Sequence, residues 1–101
     1  MNLERRSEII EELVTLEKEI METKGKEYAT EEDTLDNFKI IGKILGKCPL
    51  EVCTVYMMKH MLAIADYAKR KETLSEDIRG RILDLRVYAM LFYALTEDLN
   101  E

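Results

Sequence analysis

The sequence predicts an all-α, compact four-helix domain that is oligomeric. Three observations lead there. One proline and four glycines in 101 residues leave little material for the turns of an all-β fold. Apolar residues recur at spacings of three and four along four separate stretches. A chain that is 47% apolar and 36% charged also has the composition of a folded, helix-rich protein. The length suits a single domain of residues 1–101, close to the size at which association with further chains often adds stability.

The first helix is predicted over residues 3–23. Ile9, Leu13, Leu16 and Ile20 form its stripe, and Ile10, Val14 and Met21 widen it. Gly25 follows where a left-handed cap is usual, so the helix is expected to end there. The polar segment KGKEYATEEDTLDNF comes next, with Tyr28 and Phe38 as its aromatic anchors. Asp33 or Thr34 is expected to cap a second helix over 34–45, where Leu35, Phe38, Ile41 and Leu45 keep helical spacing and Gly46 closes it.

Pro49 opens a third helix over 49–70, since a missing N–H matters least at the first helical position. From Val52 to Ala65 its only formal charge is Lys59. A helix apolar almost all round belongs at the centre of a bundle or at a subunit interface. Ser75 is expected to cap a fourth helix over 75–98, with Glu76 and Asp77 in the first turn, where the helix dipole favours them. Ile78, Ile82, Leu85, Ala89 and Phe92 mark its apolar stripe.

Several functions are disfavoured by bulk properties. A formal charge of −6 does not suit a nucleic-acid partner, because phosphate backbones need a basic surface. No run approaches the apolar length of a membrane span, and the charged N-terminus does not resemble a secretory signal. Cys48 and Cys53 read as small apolar residues of a reducing compartment, so a cytoplasmic location is expected. With one His and two Cys there is no zinc set, and no Walker-type or glycine-rich dinucleotide loop is present.

What remains is a polar constellation. Asp77, Arg81, Asp84 and Tyr88 line one face of the fourth helix. They read either as a solvated face with intrahelical ion pairs or as the wall of a cleft. On the third helix Tyr56, His60 and Tyr67 share a face, with Lys59 one step round; Lys59 either reaches the surface beside Asp66 or lines a pocket with His60. Lys24, Tyr28 and Asn37 flank the polar segment, where basic side chains near a helix end suit phosphate oxygens.

The order KGKEYA, LDNFK, YMMKHMLAI and SEDIRGRILDLRVYAML resembles a group of small proteins encoded largely by bacteriophages. That group is distantly similar to all-α, MazG-like nucleotide pyrophosphohydrolases and to domains associated with nucleotide modification. The resemblance covers residues 24 to about 95 and carries over Lys24, Tyr28, Asn37, Lys59, His60, Arg81 and Asp84. It implies a phage or prophage origin, a host-cytoplasmic location and a nucleotide-like ligand. Two departures stand out. Val87 occupies a position where the pattern has Asn, and the acidic pairs of the hydrolase signature have no close counterpart among Glu8, Glu11, Glu12, Asp77 and Asp84.

Three functions follow as expectations. The first is a homo-oligomeric nucleotide-binding protein that sequesters a nucleotide-derived defence signal, without a cofactor. Its ligand set is Lys24, Tyr28, Asn37, Tyr56, Lys59, His60, Arg81, Asp84 and Tyr88. The second is a Mg2+-dependent pyrophosphohydrolase with metal on Glu12, Asp77 and Asp84. The third is an oligomerisation module with no small-molecule ligand, its apolar third helix serving as the interface.

Overall fold

A computed structural model of the chain describes residues 1–28, 35–72 and 77–99, and the side chains of 24–28 are not among them. It contains α1 (Leu3–Tyr28), α2 (Asp36–Leu45), α3 (Pro49–Arg70) and α4 (Ile78–Leu99), and no strand among the described residues. The all-α, four-helix expectation therefore holds.

The helix ends follow from local chemistry. α1 runs through Gly25 to Tyr28, correcting the expected stop. A glycine inside a helix costs about 1 kcal/mol relative to alanine, which a long helix tolerates. α2 begins after Leu35 rather than after a side-chain cap; Asp33 and Thr34 lie outside the described residues. Gly46 closes α2 as expected, with φ 66° in the left-handed region. Lys47 N–H then donates to the Gly42 carbonyl at 2.8 Å. α3 matches the predicted range, with Pro49 in its first turn and the Glu51 carboxylate accepting from the Cys48 N–H at 3.3 Å. At the start of α4, the Asp77 carboxylate accepts from Arg79 N–H at 3.0 Å, so Asp77 caps the helix; Ser75 lies outside the described residues.

α3 and α4 form an antiparallel hairpin, with Cys53 and His60 of α3 both meeting Tyr88 of α4. α2 lies across one side of this hairpin, and α1 packs against α4. The core is Leu35, Phe38, Val52, Cys53 and Leu95, with Tyr56, Met57, Tyr88, Leu91 and Phe92 packed around it. Burying a side chain such as Leu95 contributes about 1.5–3 kcal/mol. Two ion pairs tie the outer helices to α4: Lys39 to Asp98 at 2.6 Å, and Glu17 to Arg86 at 2.7 Å.

Two apolar stripes fall elsewhere than expected. On α1 the half-buried line is Ile9, Leu13, Glu17 and Ile20, while Leu16 is exposed. On α4 the residues turned to α3 are Arg81, Asp84, Tyr88, Leu91 and Leu95, whereas Ile82 and Ala89 of the expected stripe are exposed. No helix among the described residues is long and apolar enough to cross a membrane.

Candidate functional site

The polar line of α4 is a packed surface. Its four-three-four spacing turns Arg81, Asp84 and Tyr88 together toward α3, where His60 is 6% exposed and is the one buried polar residue among those described. Arg81 Nη1 lies 3.5 Å from His60 Nδ1. Asp84 Oδ2 lies 3.9 Å from the same nitrogen, with its side chain 20% exposed. Nδ1 thus faces a donor and an acceptor at once. A neutral ring protonated on Nε2 accepts from Arg81, and a protonated ring donates toward Asp84. His60, Arg81, Asp84 and Tyr88 each make at least one further interaction, so none of them stands alone.

Aromatic rings form the other wall. Tyr56 and Tyr88 stack with centres 5.4 Å apart and planes inclined by 4°, and Tyr88 stacks in turn on His60. Phe38 of α2 meets both tyrosines edge-on, at 6.2 and 6.4 Å. The stack His60–Tyr88–Tyr56 runs along the α3–α4 seam, and Phe38 closes its α2 end.

Cys53 lies beneath this stack, fully buried, with Sγ 3.5 Å from the Tyr88 carbonyl oxygen. Burial pushes its thiol up from 9.0 to about 11, because the thiolate has no water to solvate it. Its role against Tyr88 was not legible in the sequence, where spacing alone made it one more small apolar residue.

The remaining candidates divide. Asn37 is half-buried in the first turn of α2, next to Phe38. Lys59 is exposed: one helical step from His60 rotates it by 100° and carries it off the seam. Tyr67 is half-buried farther along α3. Lys24 and Tyr28 belong to the last turns of α1, and their side chains lie outside the described residues.

The expected metal set does not come together. Glu12 is on the exposed surface of α1, bound to Arg5 at 3.0 Å. Asp77 caps α4 and Asp84 faces His60. Among the described residues no three of His, Cys, Asp or Glu are grouped so as to hold a metal ion. The sequence places Asp77 and Asp84 on one helix face, but Asp77 lies ahead of the first turn, where its carboxylate serves the backbone. Compared with family models, curated proteins and solved structures, the chain matches none.

Proposed function

We infer that this chain binds a nucleotide or nucleotide-derived anion beside the Arg81–His60–Asp84 cluster, without hydrolysing it. The observation that carries the reading is the convergence of a guanidinium, an imidazole and a carboxylate on one aromatic-walled seam. Arg81 provides a planar fork suited to phosphate oxygens. Asp84 is a hydroxyl or base acceptor, and the stacked tyrosines hold His60 in place beside it. Lys59 stands on the outer surface, so the phosphate contact falls to Arg81.

The order of the four sequence motifs supports the biological setting: a phage-type protein in the host cytoplasm that holds a defence signal as a homo-oligomer. Separation of Glu12 from Asp84 weighs against the metal-dependent hydrolase, because a shared metal needs ligands that converge.

Thermal-shift measurements with a nucleotide panel, with and without Mg2+, test the proposal. Binding without metal, with the ligand recovered intact, is expected. Arg81→Ala is expected to abolish the shift while keeping the helical circular dichroism spectrum. Unchanged affinity in that variant overturns the site assignment. Metal-dependent release of pyrophosphate or a monophosphate overturns the non-catalytic reading.

A further inference from the structure

Among the described residues, several apolar side chains on one side of the α3–α4 hairpin are exposed. Tyr56 of α3 meets Phe38 of α2, and Asp98 of α4 meets Lys39 of the same helix, which puts α2 on one side of the hairpin's plane. Val87, buried, and Leu83, half-buried, turn to that side of α4 as well. At 100° per residue, Met61 and Ala65 of α3 and Ile82, Ala89 and Tyr93 of α4 fall on the opposite side. All five are exposed, Tyr93 by 69%. None of the five is charged; Arg86, Lys69 and Glu97 lie at the margin, and Arg86 is turned to Glu17 of α1.

This face has the sequence pattern of a core and the exposure of a surface. Ile78, Ile82, Leu85, Ala89 and Phe92 keep the spacing of a buried stripe, yet Ile82 and Ala89 are open to solvent. Two whole-molecule quantities show that the chain exposes more surface than a folded monomer of its size. The chain exposes 7863 Å², against about 5,900 Å² for a folded monomer of its 11.8 kDa mass. Its radius of gyration is 15.3 Å, against about 12.7 Å for a compact domain of this length. The excess surface is roughly 2,000 Å², while a standard interface removes about 800 Å² from each partner.

We propose that a second copy of this chain covers the face, α3–α4 hairpin against α3–α4 hairpin, to complete a four-helix core across a two-fold axis. An apolar surface of two antiparallel helices with a charged rim is complementary to itself, and an isologous two-fold contact closes without leaving a further copy of the face exposed. Ala89, one turn before Tyr93, leaves a gap that a large residue of the other hairpin can enter.

Multi-angle light scattering on the full chain tests this independently of any ligand. The wild type is expected at twice 11.8 kDa or a larger even multiple. Tyr93→Lys and Ala89→Glu are each expected to lower the mass at least two-fold with unchanged helical circular dichroism. Tyr93 is the safer variant for folding, since its side chain is exposed in the single chain. Val55→Glu, on the back of α3 and 66% exposed, is expected to behave as wild type. A monomeric wild type, or a Tyr93→Lys variant that keeps the wild-type mass, overturns the proposal, as does a dimer lost in Val55→Glu alone. Because Arg81 is turned to α3 and away from this face, failure here leaves the ligand reading standing, and the reverse.

Discussion

The His60 imidazole lies against the Tyr88 ring, with centres 5.5 Å apart and planes inclined by 21°. That contact decides how His60 can act. Stacking covers a face of the imidazole and leaves its edge, with Nδ1, turned to Arg81 and Asp84. Tyr88→Phe keeps the stack and is expected to change stability by less than about 1 kcal/mol. Tyr88→Ala removes the ring on which His60, Tyr56 and Phe38 all rest, at an expected cost of about 3 kcal/mol. Urea denaturation of the two variants checks the difference; equal losses would show that the stack does not organise the seam.

Two glycines are expected to respond in opposite directions to the same substitution. A Cβ on Gly42 would lie 2.5 Å from the Lys47 carbonyl oxygen, in the turn that joins α2 to α3. Backbone cannot yield as a flexible side chain does, so Gly42→Ala is expected to destabilise by about 1–3 kcal/mol. Gly80 has nothing within 4 Å of such a Cβ and lies in the first turn of α4. Gly80→Ala is expected to stabilise by roughly 0.5 kcal/mol, through the lower conformational freedom of the unfolded chain. Thermal melts of both proteins check the signs.

How much of this was legible in the sequence differs by element. α3 was fixed at both ends, because Pro49 starts it and the polar run after Ala68 ends its apolar character. α1 was cut short at Gly25, since a glycine marks an end only when the backbone turns left-handed there, as it does at Gly46. The members of the seam, His60, Tyr56, Arg81, Asp84 and Tyr88, were selected by helical spacing. Their mutual distances were not, because periodicity defines faces and does not say which faces meet. The same limit explains α4. Its polar line packs against α3, where stacking and charge pairing satisfy it, and two members of its most regular apolar stripe, Ile82 and Ala89, are left exposed. Lys59 was grouped with His60 by adjacency in sequence, and adjacency on a helix separates side chains by 100°.

The two cysteines are expected to differ sharply in reactivity. Cys48 is exposed and Cys53 is buried. At pH 8 an aromatic disulfide reagent should titrate one thiol quickly and the second only in denaturant. The raised thiol of Cys53 also carries a pH dependence of stability. Below pH 9 it is protonated in both folded and unfolded chains, and its full contribution is present. As pH rises from 9 to about 11 the unfolded chain ionises first, so stability is lost across that window. The loss is roughly 2 to 3 kcal/mol in total. Cys53→Ala should flatten this part of the stability profile, measured by urea denaturation at a series of pH values. An unchanged slope would show that Cys53 ionises as easily folded as unfolded.

Ion pairs that look alike on the helices should differ in worth. Arg5 meets Glu8 and Glu12 at 3.0 Å each, with all three side chains about half exposed. Such pairs contribute about 0–1 kcal/mol, so Glu12→Ala is expected to change stability little. Glu17 and Arg86 instead join α1 to α4, and Arg86 Nε is shielded from solvent. Nε approaches Glu17 Oε1 to 2.7 Å, yet it makes no aligned hydrogen bond, so the contact is held by charge more than by direction. Removing the carboxylate leaves a guanidinium nitrogen covered and without its counter-charge. Glu17→Ala is therefore expected to cost about 1–3 kcal/mol and to loosen α1 before the rest of the fold. Hydrogen exchange of α1 amides, compared between Glu17→Ala and Glu12→Ala, separates the two. Faster exchange confined to α1 in the first variant is the expected result; equal protection in both would mean that apolar contacts alone hold α1 on α4.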